Sequence, residues 1–183
     1  MAIKLQFSQK AQYYVKVFFN KAEQIKFVCT IIVVTIEEQI KTKELPLARK
    51  LSINIIYTAN WVNELIGEAL KPFDVSLQQF NVLRILRGQK GKPANLSTIQ
   101  DRMVSKMSNT TRLVDKLIGK ELVNRNTCPT NRRKVDITIT TLGLSLLDTI
   151  DPIIKDVEEQ ITKNTKTYEL EQLNNMLNNL RNK

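Results

Sequence analysis

Apolar residues recur every three or four positions through most of this chain, and one stretch alternates instead. In LARKLSINIIYTANWVNELIGEAL (47–70), Leu51, Ile55, Thr58, Val62, Leu65 and Ala69 fall at helical steps. That spacing predicts an amphipathic helix, ended by Lys71-Pro72. Ser76-Leu-Gln-Gln79 has the form of a capping box, and Phe80, Leu83 and Leu86 continue at helical spacing until Gly88 and Gly91-Lys-Pro93 break it. Ser97-Thr-Ile-Gln100 predicts a second capping box, opening a short helix that runs to about Met103 or Val104. After a brief turn, MSNTTRLVDKLIGKEL (107–122) predicts another helix, with Leu113, Val114, Leu117 and Ile118 facing inward.

The alternating stretch is NRRKVDITIT, 131–140. Val135, Ile137 and Ile139 point one way and Asp136, Thr138 and Thr140 the other, the pattern of a half-buried strand. LVNRNT (122–127) precedes it as a short strand. Cys128-Pro129-Thr130-Asn131 supplies turn chemistry, so the two strands should form a hairpin with Arg132 and Arg133 near its tip. Thr140 is placed to cap a long helix carrying Leu142, Leu146, Leu147, Ile150, Ile153, Ile154, Val157 and Ile161, kinked at Pro152. Finally, Leu170, Leu173, Leu177 and Leu180 form a narrow seam suited to helix pairing.

A short helix, a turn, a second helix and a hairpin make a winged helix-turn-helix. The expected fold is therefore mainly α with a small β-hairpin wing, flanked by N- and C-terminal helices. Residues 45–72 are read as the N-terminal helix, 73–140 as the winged helix-turn-helix domain, and 141–183 as the C-terminal helices. Residues 1–44 read as an atypical extension, weakly structured or partly helical. Its apolar run FVCTIIVVTI (27–36) has ten residues where a bilayer span needs about twenty, so no membrane role is expected. One hypothesis places the natural start near Val34, because TIEEQIKTKELP already resembles a helical N-terminus; a peptide from residues 1–30 in the native protein would refute it.

Charge sharpens the picture. The net charge is +10, and residues 96–140 carry nine Lys and Arg against four Asp and Glu, while residues 141–183 carry five against seven. The basic middle points to an anionic partner such as nucleic acid. In a helix-turn-helix the second helix enters the major groove. Its outward residues here are Ser108, Asn109, Thr111, Arg112 and Lys116, where Asn suits adenine, Arg suits guanine, and Ser and Thr suit bases or phosphates. Arg132, Arg133 and Lys134 are the candidate wing contacts. With no histidine, no Gly-rich phosphate loop and no paired cysteine ligands, neither catalysis, a cofactor nor a metal is expected. The competing reading is a winged-helix module for protein contact alone, which gives no reason for cations at 112, 116 and 132–134.

The span SLQQFNVLRIL … STIQDRMVSKMSNTTRLVDKLIGKELVNR … PTNRRKVDITITTLG resembles the MarR (multiple antibiotic resistance regulator) family of bacterial transcription factors. The resemblance covers about residues 45–180, and TRLVDKL, LVNR and NRRKVDITIT followed by TTLG carry it. It implies a cytoplasmic, nucleoid-associated homodimer with interlocking terminal helices and two winged domains on a pseudo-palindromic operator. It thereby implies that 45–72 and 141–183 are dimerisation helices and that 73–140 binds DNA. It also implies that Arg132 reaches the minor groove or backbone, with Arg133 and Lys134 neutralising phosphates. Such proteins usually repress, and release DNA when a small aromatic or other ligand enters a pocket between the dimer and DNA-binding regions; others release on cysteine oxidation. Three positions depart from the family pattern. Asn131 replaces the usual Asp before the arginines, and Glu121 and Val104 replace glycines, so the recognition helix is expected to start early. Cys128 reads as an incidental turn residue rather than a redox switch.

Overall fold

The computed structural model describes residues 34–128 and 131–182, with the backbone alone for residues 127–128 and 131–134. A short helix α1 (Ile36–Gln39) precedes the long α2 (Leu47–Leu70), which passes through a 3₁₀ turn (Lys71–Phe73) into α3 (Leu77–Arg87). Then follow α4 (Leu96–Arg102), α5 (Thr110–Gly119), the hairpin β1 (Val123–Cys128) and β2 (Asn131–Ile139), α6 (Thr141–Thr162) and α7 (Thr167–Arg181). The expected order of elements is present. Residues 1–33, most of the proposed 1–44 extension, lie outside the described residues. Its last part forms α1, whose Thr35–Glu38 pair makes a reciprocal capping box. Lys50 on α2 approaches Glu37 at 3.0 Å, and this hydrogen bond holds the Glu37 carboxyl below its ordinary range.

Local chemistry explains several boundaries. Ser76 Oγ accepts from Gln79 N at 3.2 Å while Gln79 Oε1 accepts from Ser76 N at 3.0 Å, the expected capping box. Thr140 Oγ1 accepts from Gly143 N at 3.0 Å and starts α6, which runs on through Pro152 to Thr162. The box expected at Ser97 is not the one used. Asn95 caps α4 instead, its Oδ1 accepting from Thr98 N at 2.8 Å, and Ser97 donates its hydroxyl to that same oxygen. Asn95 wins because its backbone is already extended, with ψ near 170°, where a cap residue must be. This frees Gln100 for another contact.

The core lies where the three central helices, the wing base and α6 converge. Phe80, Leu83 and Leu86 of α3, Ile99 of α4, Val114 and Leu117 of α5, Ile137 of β2, and Leu147 and Ile150 of α6 are fully buried. The hairpin is antiparallel, in register from Val123 opposite Ile139 to Thr127 opposite Val135, with a shift beyond Thr127. Ala94 bridges to the hairpin as a single residue, exchanging backbone hydrogen bonds with Ile137 at 2.9 and 2.8 Å. Gly143 is required at the wing base, because a Cβ there would collide with the Leu122 carbonyl oxygen.

Two helices leave apolar residues unburied. On α2 only Ala69 and Leu70 are buried, and Leu51 and Ile55 are exposed. Helix α7 has no buried residue at all, and its Leu173 and Leu180 are about half exposed.

Glu121, entering the wing, has φ +59°, in the left-handed region where a Cβ is crowded. The glutamate tolerates the geometry that glycine would accept freely. Glu121→Gly should therefore raise stability by up to about 1 kcal/mol, the relief of crowding less the entropy of the freer unfolded chain. An unmoved or lowered urea midpoint would show that the glutamate side chain contributes more than its backbone costs.

Candidate nucleic-acid interface

The helix-turn-helix consists of α4, a turn over residues 103–109, and α5. Met103 anchors the turn in the core, and from it the chain runs extended, which ends α4 and directs residues 104–109 outward. Val104 is 87% and Met107 95% exposed, so this turn presents apolar side chains to solvent.

A polar clamp joins the two helices across the turn. Gln100, released from capping duty, donates from Nε2 to the Lys106 carbonyl at 2.7 Å, and its Oε1 accepts from the Thr110 hydroxyl. Thr110 is buried, so this bond satisfies a hydroxyl that would otherwise be stranded away from water. Lys106 Nζ closes the turn on the Asp101 carbonyl at 2.5 Å. Sequence reading missed this clamp, because its partners lie ten residues apart and follow no periodic signal.

The recognition helix begins later than expected. It runs from Thr110, with Asn109 as its N-cap and Ser108 ahead of the cap, so neither residue belongs to the helix itself. Asn109 Oδ1 accepts from Arg112 N at 3.1 Å, which fixes that oxygen and leaves the amide nitrogen as a donor. Val104 has no left-handed backbone, so the turn manages without the glycine-type geometry that the departure suggested.

An open hollow brings Ser108, Asn109, Arg112 and Lys116 together, with Ser105 and Met107 beside them. Thr111 is exposed on the same first turn but does not line the hollow. Among the described residues, Arg112 and Lys116 have no acidic partner within ion-pair distance, which leaves both charges available. Asp115 is different: its Oδ1 takes Arg125 of β1 at 2.9 Å and ties the wing to the recognition helix. Opposite charges at 115 and 125 were visible in the sequence, but their pairing needed the hairpin to fold back. For Arg132, Arg133 and Lys134 the backbone lies in β2 beyond the register shift, and their side chains lie outside the described residues.

On another side of the recognition helix a second open hollow, of about 900 Å³, lies between α2, the 3₁₀ turn, α3 and α5. Asn63, Lys71, Asp74, Lys116 and Lys120 line it, and Lys120 Nζ reaches Asp74 Oδ2 at 2.8 Å. Lys116 therefore borders both hollows, the outer one at the helix start and this second one. Among the described residues no group of three or more potential metal ligands occurs, and no helix is long and apolar enough to cross a membrane.

A family model described as "MarR family" matches residues 75–135. The HTH-type transcriptional regulator MhqR of Bacillus subtilis is 31% identical over 103 residues, covering 56% of this chain and 70% of MhqR. The multiple antibiotic resistance protein MarR of Escherichia coli is 27% identical over 118 residues, covering 63% of this chain and 79% of that protein. The crystal structure of a cysteine-to-serine mutant of E. coli MarR with operator DNA superposes with a TM-score of 0.65 at 24% identity, over 80% of this chain and 99% of that one. A second fold likeness, with a TM-score of 0.65 at 16% identity, covers 73% of this chain and 99% of Bordetella bronchiseptica BpsR, whose DNA binding is regulated by 6-hydroxynicotinic acid.

Proposed function

The chain belongs to the MarR family, and from that premise we propose that it is a sequence-specific, double-stranded-DNA-binding transcriptional regulator. It acts as a homodimer on a pseudo-palindromic operator, as a ligand-responsive repressor. The observation that carries this reading is the outer hollow. Hydroxyl, amide and guanidinium groups converge at the start of a recognition helix whose two cations are unpaired among the described residues. Those groups match the base edges and phosphates of a major groove. A protein-contact module would need no such cluster, and MhqR, a relative of this chain, is an HTH-type transcriptional regulator. The reading places the protein in the cytoplasm, with the nucleoid.

Dimerisation follows from the helices at the two ends. The exposed leucines of α7 and the exposed apolar face of α2 supply surface that a second copy would bury. Two winged units related by a two-fold axis would then meet two half-sites about one helical turn apart. The second hollow suits an acidic small molecule through Lys116, since Lys71 and Lys120 are already paired with Glu68 and Asp74. Such a ligand would compete with DNA for Lys116.

The test is selection of bound fragments from random duplexes by the purified protein. An enriched, pseudo-palindromic sequence is expected, bound about a thousandfold or more above random DNA. Equal binding to all sequences would sink the proposal. The wing takes its part through charge: Arg132→Ala should weaken binding and make the slope of log K against log salt shallower by about one unit. An unchanged slope in a salt titration would remove the wing from the DNA.

A further inference from the structure

We propose that Met107 reads the C5-methyl group of thymine in the operator, adding an apolar element to the polar readout by the recognition helix. The inference rests on the DNA-binding function proposed above. Met107 sits in the turn two residues before the N-cap Asn109, is 95% exposed, and lines the same hollow as Ser108, Asn109, Arg112 and Lys116.

A single exposed apolar side chain is ordinary on a protein surface. Its surroundings make this one different. The other exposed members of the hollow are hydroxyls, amides and cations, so whatever fills the hollow is polar and anionic in most places. Duplex DNA meets that description, and its major groove offers one apolar group, the thymine methyl. Methionine is unbranched and flexible, and can settle on a methyl without a preformed pocket. The residue is also ordered at its base, because the Lys106 carbonyl beside it is held by Gln100 at 2.7 Å. Val104 provides an internal comparison. It is exposed to 87% in the same turn but does not line the hollow, so it has no assigned contact.

The experiment uses the operator obtained by selection from random duplexes. Each thymine of a half-site is replaced in turn by deoxyuridine, which removes the methyl and leaves base pairing intact. One position per half-site should then bind the wild-type protein about fourfold more weakly, the value of one buried methyl. The Met107→Ala and Met107→Gln proteins should bind thymine and deoxyuridine at that position equally, while Val104→Ala should discriminate as the wild type does. Wild-type indifference to every substitution, a half-site without thymine, or full discrimination by Met107→Ala would each overturn the proposal. Selection that enriches no sequence would instead refute the DNA-binding reading, so the two failures are distinguishable. Met107 and Val104 both lie in solvent, and their replacement leaves the core intact.

Discussion

Glutamate at both Leu173 and Leu177 is expected to convert the protein to monomers and remove operator binding. Leu173 and Leu180 are about half exposed, Leu170 and Leu177 only partly covered, and no residue of α7 is buried within its own chain. The seam therefore contributes little to the fold of one chain, and the double variant should keep its helix content, with a lower urea midpoint that no longer depends on protein concentration. In the dimer each substitution occurs twice. Removing four leucines from an interface that buries them costs on the order of 1.5–3 kcal/mol apiece, and the new carboxylates must also be desolvated. Even half that sum shifts a dimer equilibrium by more than about a hundredfold. Light scattering at micromolar concentration checks the assembly, and a gel shift on the selected operator checks the function. A persistent dimer would assign the seam to another role and place self-association on α2 or elsewhere.

Arg112→Ala should cost about 1–3 kcal/mol in operator binding, or roughly five- to 150-fold, and relax preference at one position of each half-site. Its backbone N–H is already bound to the Asn109 side chain, which fixes the start of the helix, while its guanidinium faces the hollow without an acidic partner among the described residues. A planar fork in that position can meet the O6 and N7 of a guanine together. Repeating the selection with the variant separates base reading from plain charge. A flattened preference at one position supports the assignment. Equal losses on operator and random DNA would make Arg112 a phosphate contact instead.

Much of this was legible because it is periodic or local. The three- and four-residue spacing of α2, α3, α5 and α6 and the alternation of Val135, Ile137 and Ile139 each encode an element directly. Ser76 and Thr140 were readable as caps because their partners, Gln79 and the Gly143 amide, lie three residues away. At α4 the same rule failed. Asn95 and Ser97 both carry a suitable oxygen, and only the path of the backbone arriving from the Ala94–Ile137 bridge decides between them.

The amino-acid sequence by itself determined the helices, the hairpin and the identity of the polar groups on the recognition segment, since these depend on residues a few positions apart. The tertiary structure alone decided that Asn109 caps rather than extends the recognition helix, and that Gln100 clamps Thr110 across ten residues. It also decided that Arg125 ties the wing to Asp115, and that Met107, Leu173 and Leu180 are exposed on a single chain while equally apolar Met103 and Leu147 are not. Side-chain hydrophobicity says what burial would be worth. Which side chains are buried depends on the elements that pack beside them, and these come from distant parts of the chain.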